Sequence, residues 1–545
     1  CFDNGAVCAP TRSSWITGMH SISNGTQPMR SGFEIPASVS FYNELLQKAG
    51  YFTSNCSKTD YNLRGPKGRN PKDFWNYSGK DYAGTWKKRK EGQPFFTVYN
   101  IGDSHESRAF GDPKDESVDP EKMILAPYHP DLPEMRNTYA KYSSAISKMD
   151  SLVGQAIENL KQDGLYENTI IVYNSDHGGV LARSKRFLYS SGIHCPLIVR
   201  IPEKMKHLYP QGKSPGSTID RIVSFIDMPK TWVSLTGAEM KGNFQGRIFL
   251  GPETEPQSQY HFSWRGRADE RFDCVRVMRD EQFAYHKNYA PFAPNGQYLA
   301  YMHNMKATGA WERHHQAGKT NAVTGRFFEP RPSEEFYDNF KDFHNIDNQI
   351  DDPLHQTKIK ELKKELRRQQ LKYFDSGLMP EEMRNRIIKE KNTTVYAFVR
   401  DPKLYPLAQY LDYADLALTR KKKNLKSFTK GLTDEDPVKR YWSVIGLLLL
   451  EKHAKPAISE LKKVLGDRDE IPAFASWAIY KAGEKTFAEK WMLEAITQNP
   501  GNKTLANIFD WMGTASHSLL AKIPGDKLPQ KGLLKDVVKR SGVQN

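Results

Sequence analysis

Apolar positions in the first 240 residues switch between a helical and a strand-like period. In residues 40–49, Tyr42, Leu45, Leu46 and Ala49 share one face of a predicted helix that Gly50 stops. After Pro133, Met135, Tyr139, Tyr142, Ile146, Met149, Val153, Ile157 and Leu160 recur in steps of mostly three and four, predicting a long amphipathic helix that ends by Gly164. Short apolar runs at 95–99, 169–173 and 196–199 read as buried strands. Apolar strands separated by amphipathic helices predict an α/β fold, a mostly parallel sheet sandwiched by helices. In such folds ligands collect at the carboxyl ends of the strands.

The pattern changes near residue 240. Residues 241–345 read as a smaller β-rich unit, with a hairpin between 271–278 and 282–285. Before it, Trp264, Arg265 and Arg267 could stack on a sugar and hold its anionic groups, or could be ordinary side chains of a solvated loop. Pro330, Pro332 and Pro353 lead into a helical connector, 346–430, where Ile359, Leu362, Leu366 and Phe374 recur at helical spacing. In the tail, 431–545, Trp442, Trp477 and Trp511 recur after 35 and then 34 residues, and Pro437 and Pro472 keep the 35-residue step. That period predicts a helical repeat, and residues 434–440 resemble the start of a HEAT-type unit. Its expected role is a structural clamp or a surface for a partner.

A chain of 545 residues exceeds what one core supports, so several domains are expected. No apolar run approaches a membrane span. The formal charge of +15 favours polyanionic partners, but the basic residues are spread along the chain, which disfavours nucleic acid and fits a sulfated polymer. The five cysteines are Cys1, Cys8, Cys56, Cys195 and Cys274, and their spacing selects no disulfide pairing.

Candidate chemistry concentrates in a few places. The stretch from Cys8 to Gly18 (CAPTRSSWITG) puts a thiol, a proline suited to a helix start and an arginine at one helix end, where free N–H groups attract anions. Two loops follow predicted strands: Asn100 to Arg108, with His105, and Asn174 to Gly179, with Asp176 and His177. Asp176 is a natural hard-oxygen ligand, although an aspartate before two glycines also caps turns. Lys185, in KRFLYSSGIHCPLIV, and Lys58, in SKTDYN, complete the set.

Together these segments resemble the sulfatase family over roughly residues 1–345. Cys-x-Pro-x-Arg with Thr-Gly is similar to the family's signature, Ser-Asp-His-Gly to its metal segment, and the runs around Lys185 and Lys58 to its sulfate-binding segments. The resemblance implies an alkaline-phosphatase-like fold and a maturation enzyme that converts Cys8 to formylglycine, whose hydrate is the nucleophile. It also implies a calcium ion held by Cys8, Asp176 and His177, with further aspartates from a region expected before Cys1. Arg12, Lys58 and Lys185 would hold sulfate. His105 is the candidate general acid for the leaving oxygen. His194 stands where arginine is common and could touch substrate or simply pack; Asp60 replaces a family histidine.

The resemblance further implies a sulfated oligo- or polysaccharide substrate, such as an algal carrageenan or ulvan or a glycosaminoglycan, and a periplasmic or secreted location. Two rivals remain at this stage: a phosphonate or phosphate monoester hydrolase of the same superfamily, and a non-catalytic protein that binds sulfated glycan through an unmodified Cys8.

Overall fold

The computed structural model describes residues 1–111 and 118–543. In the N-terminal part, Phe52–Cys56 pairs in parallel with Tyr77–Gly79 on one side and Phe95–Tyr99 on the other. Its Ser54 hydroxyl is bonded to those of Thr85 and Thr97, at 2.7 and 2.8 Å. The expected strands near 170 and 197 form as Ile171–Asn174 and Leu197–Arg200, but they pair with each other in antiparallel register, Val172 opposite Val199. Between them runs a long loop with only the short helix Ser190–Ile193, not the helical crossover that a parallel pair needs. On the second of these strands Ile198 is 63% exposed.

Helices pack where periodicity placed them. Tyr42–Lys48 buries Tyr42, Leu45 and Leu46 against Ile16, Met228 and Trp232. The long helix is Pro133–Gln162, started by a proline whose missing N–H would have no partner in a first turn.

The second part is a four-stranded antiparallel sheet, His261–Arg265, Val275–Arg279, Phe283–Asn288 and Glu334–Asp338, paired in that order. The predicted hairpin is its middle, with Ala284 opposite Arg279. Helix Gln356–Lys372 packs Ile359, Leu362 and Leu366 onto Phe262, Trp264, Met278, Tyr285 and Phe336. Each large apolar side chain buried there contributes roughly 1.5–3 kcal/mol. Phe374, expected on that helix, lies beyond its end with φ +54°.

The tail is mainly helical among the described residues and packs on the segments that flank the sheet. Trp442 lies in Pro437–Leu450 and donates its indole N–H to the Leu378 carbonyl, 2.9 Å away. Trp477 and Trp511 stack at 5.8 Å and enclose Phe292, and the Trp511 indole N–H reaches Gln297 Oε1 at 2.9 Å. Fully buried Arg276 makes a two-pronged bridge to Asp375, both bonds 2.7 Å. Further ion pairs join Arg271 to Asp510 and Arg540 to Glu312. Among the described residues, no helix is long and apolar enough to cross a membrane, and all five cysteines are free.

Candidate active site

Cys8 is the first residue of helix Cys8–Thr17, after Val7 in an extended conformation. Pro10 lies in the first turn, where its missing N–H removes no helical bond. Gly18, at φ +65°, closes the helix by donating its N–H to the Ser14 carbonyl at 2.8 Å. Ahead of the helix, buried Asp3 accepts from the Gly5 N–H at 2.9 Å and the Thr11 hydroxyl at 2.6 Å, fixing the approach to Cys8. Cys8 is buried with Val7, Ala9 and Met29. Burial pushes its thiol pKa up, against the pull of Lys58 and Lys185, so the unmodified side chain is a protonated, weak nucleophile at neutral pH.

One turn along the same helix, Arg12 donates through Nε to Asp176 Oδ2 at 2.8 Å, and Lys58 Nζ lies 3.3 Å from the same oxygen. Burial works against the charge on Asp176, yet Lys58 and Arg12 hold its carboxyl well below the usual carboxylate range. The loop that carries Lys58 has three non-glycine residues in the left-handed region, Ser57, Asp60 and Asn62, at φ +68°, +36° and +58°. Such strain persists only when surrounding contacts impose it. Here the Asn62 side-chain amide donates to the carbonyls of Thr26 and Pro28, at 2.6 and 2.8 Å.

Lys185 is buried on a neighbouring loop, with Nζ 3.1 Å from Glu106 Oε2. Glu106, 0% exposed, also takes both prongs of Arg186, at 2.7 and 3.0 Å, and Arg186 continues to Asp269 at 3.1 Å. Despite burial, Arg186 and Lys185 keep the Glu106 carboxyl pKa below its ordinary value. Two glycines let the Lys185 loop lie on the Asp176 loop. Gly178 N–H donates to the Gly192 carbonyl at 2.8 Å and Gly179 N–H to Ser191 at 3.0 Å. A Cβ at Gly178 would come within 2.2 Å of the Ser191 carbonyl oxygen, and one at Gly192 within 2.0 Å of that of Phe187.

His105 is half-buried beside these cations. Its Nδ1 lies 3.0 Å from the Ser107 hydroxyl, and burial, then Lys185 and Lys58, lower its pKa to about 4. The imidazole is therefore neutral at pH 7 before a substrate arrives. His177 is also neutral, its pKa lowered to about 4 by burial, with Nδ1 2.8 Å from the Gly178 carbonyl.

The expected calcium set does not form a calcium shell from these residues. Calcium takes about six to eight oxygen ligands. Here Asp176 has Oδ2 engaged by two cations, His177 offers nitrogen and Cys8 a thiol, and among the described residues no three His, Cys, Asp or Glu side chains converge as a metal-holding group.

The structure brings together Cys8, Arg12, Lys58, His105, Asp176, His177 and Lys185, and corrects the expected sugar contacts. Trp264 is 0% exposed, its indole N–H donating to the Ser21 hydroxyl at 2.6 Å, so it is a core side chain and cannot stack on a sugar. Arg265 is buried on Asp273 at 3.1 Å and over the Phe187 ring. Arg267 is bound to Glu381 through two bonds, at 2.6 and 3.0 Å. Each guanidinium is paired with a carboxylate, and Arg265, whose Nη2 makes no hydrogen bond, is buried away from the surface. His194 is exposed and stacks on Phe2 at 4.8 Å. Sequence reasoning missed Asp3 and Glu106; adjacency to His105 was the one available signal for Glu106.

A family profile described as Sulfatase matches residues 2–238. The chain is 31% identical over 456 residues to an ulvan-active sulfatase from Formosa agariphila, covering 74% of this chain and 73% of that protein. It is also 31% identical over 131 residues to an N-acetylglucosamine-6-O-sulfatase from Bacteroides thetaiotaomicron, covering 23% and 22% of the two chains. A solved phosphonate monoester hydrolase from Agrobacterium radiobacter aligns with 14% identity and a TM-score of 0.47, over 69% of this chain and 88% of that one. The chain belongs to the sulfatase family. It is a sulfuric ester hydrolase of the α/β sulfatase fold with a helical C-terminal region.

Proposed function

We propose that the enzyme removes sulfate esters from a sulfated carbohydrate, with position 8 as the nucleophile after its cysteine is converted to formylglycine by a maturation enzyme. The observation that carries this reading is the arrangement of Arg12, Lys58 and Lys185 around Cys8, each cation fixed by a carboxylate behind it. The buried thiol is itself a poor nucleophile, which fits a precursor role. Once formed and hydrated, the aldehyde would supply the attacking hydroxyl.

The chain's own groups do the rest. Lys58 and Lys185 neutralise the nonbridging sulfate oxygens, and Arg12 holds the Asp176 carboxylate that orients Lys58, so electrostatic stabilisation is in place before the reaction. Burial, then the two lysines, depress the His105 pKa; the negative charge of bound sulfate offsets the lysines' share and favours the protonated imidazole that delivers its proton to the leaving sugar oxygen. The ulvan-active relative favours ulvan or a similar sulfated polysaccharide as substrate, and a periplasmic or secreted location is what the family resemblance implies. The 35-residue tryptophan step and the docked tail support a helical repeat acting as a clamp.

A panel of defined sulfated oligosaccharides and a matched phosphonate monoester, assayed beside mass spectrometry of the Cys8 peptide, tests the proposal. Sulfate release together with the mass loss of a thiol-to-aldehyde conversion is the expected result. Faster phosphonate cleavage, or full activity from a chain with unmodified Cys8, would overturn it.

A further inference from the structure

A cavity of about 40 Å³ lies where the antiparallel sheet meets the helical tail, with Gln27, Arg267, Arg276, Glu381, Arg384 and Tyr441 among its walls. Most charges there are matched. Arg267 is bridged to Glu381 and Arg276 to Asp375, and the wall residue Asp273 is held by Arg331 at 2.6 Å and Arg265 at 3.1 Å. Arg384 is the exception. It is 1% exposed and its side chain makes no hydrogen bond or ion pair with any described residue; Nε and Nη2 have no partner, and the guanidinium lies over the face of Phe33, 5.2 Å from the ring centroid.

The acids nearest in charge do not relieve it. Both Glu381 oxygens are engaged by Arg267. Glu470 accepts the backbone N–H groups of Glu382 and Met383, at 2.7 and 3.2 Å, and burial pushes its pKa up to about 8, so it is mostly neutral at pH 7. A buried charge without a partner is unfavourable unless something in its surroundings pairs with it. Tyr441, which is 3% exposed, also lines the wall. The volume is that of roughly three waters, at about 10–15 Å³ each on this measure, which suits a bare four-oxygen anion. A guanidinium is shaped for such oxygens.

We propose that this cavity binds one small tetrahedral oxyanion, inorganic sulfate or phosphate, on Arg384 with Tyr441 as a second donor. The site is separate from the reaction centre but linked to it. Gln27 and Pro28 line the cavity, while the next residue, Met29, donates its N–H to the Arg267 carbonyl, accepts from the Arg267 guanidinium at its own carbonyl and packs on Cys8. Occupancy would firm the wall behind the nucleophile.

Isothermal titration with sodium sulfate and with sodium phosphate, at matched ionic strength, tests this in a Lys58→Gln, Lys185→Gln double variant, whose reaction centre has lost two sulfate-binding cations. The double variant should still bind one anion per chain, saturably, with a rise in melting temperature. Adding Arg384→Met should weaken that binding at least tenfold, with Arg384→Lys as the milder change if the methionine variant does not fold. Tighter binding of sulfate makes the reaction product the occupant, and tighter binding of phosphate makes it the ambient anion; either supports the site. No saturable binding to the folded double variant, an equal response to chloride, or unchanged binding after the Arg384 substitution would each overturn the proposal.

Discussion

Replacing Glu106 with glutamine changes almost no volume but removes the negative charge between Lys185 and Arg186. All three side chains are 2% exposed or less, and Lys185 has no other charged partner among the described residues. Breaking a buried pair by neutralising one partner costs about 3–5 kcal/mol, because the remaining charge stays desolvated. Arg186 keeps Asp269, which places the expected loss near the lower end, about 3 kcal/mol, or roughly two powers of ten in the unfolding equilibrium at 1.4 kcal/mol per tenfold.

The loss has a pH signature. The Glu106 pKa lies below its ordinary 4.5, so its stabilisation is present above about pH 4.5 and disappears as pH falls through the depressed native value. Wild type and Glu106→Gln should therefore differ in denaturant midpoint by a constant amount from pH 5.5 to 8 and converge in acid. Because Lys185 would lose its anchor, KM for a sulfate ester should rise in the same variant, and Glu106→Asp should recover part of both effects. A midpoint shift equivalent to less than about 0.5 kcal/mol at neutral pH, the range of an ordinary surface substitution, together with an unchanged KM, would refute the argument.

Four further outcomes are expected. Cys8→Ala should abolish turnover while the melting temperature and glycan binding stay close to wild type; substantial residual turnover contradicts the nucleophile assignment. His105→Ala should slow hydrolysis of a sugar sulfate far more than that of a nitrophenyl sulfate, the two losses differing by about 10²–10⁴-fold, and equal losses would move the acid role elsewhere. His129, His177, His261 and His286 have native pKa values of about 3, 4, 3 and 4, lowered by burial, so the unfolded chain takes up protons first and stability should fall as pH drops from about 6.5 toward 4. Equal urea midpoints at pH 7 and 5 would count against that. For Glu470 the sign reverses: its native pKa of about 8 means that stability is lost as pH rises from about 4.5 to 8, so the melting temperature of Glu470→Gln relative to wild type should improve between pH 6 and 9.

The reaction centre was more legible in the sequence than its surroundings. Cys8 and Asp176 could be found because each sits on a short segment whose residue types serve one local geometry, a helix start and a strand end, whereas Lys185 is legible only through the family resemblance of its segment. Glu106 could not be assigned, since its meaning comes from Arg186, 80 residues away. Trp264 and Arg265 misled for a related reason. Their strand is buried on both faces, so the alternation that would separate inward from outward residues is missing. The antiparallel return of Leu197–Arg200 was hidden because periodicity reports a strand but not its direction. The calcium set stays an expectation: composition offers Asp176 as a ligand, while the folded chain shows Arg12 and Lys58 on its Oδ2.

The contact between Gly178 and Gly192 also bears on how such an enzyme can diversify. With no room for a methyl group on either glycine, the loops carrying Asp176 and Lys185 behave as one inherited block, and a change in one that moves the backbone displaces the other. Drift toward a new sugar would then have to come from segments outside that block, such as the strained turn at residues 57–62 and the loop at 100–108, at positions other than the candidate acid His105 and Lys58, Asn62 and Glu106, which hold the two anion-binding arms in place. Libraries aimed at altered specificity should recover active variants from those rims and almost none from positions 178 and 192.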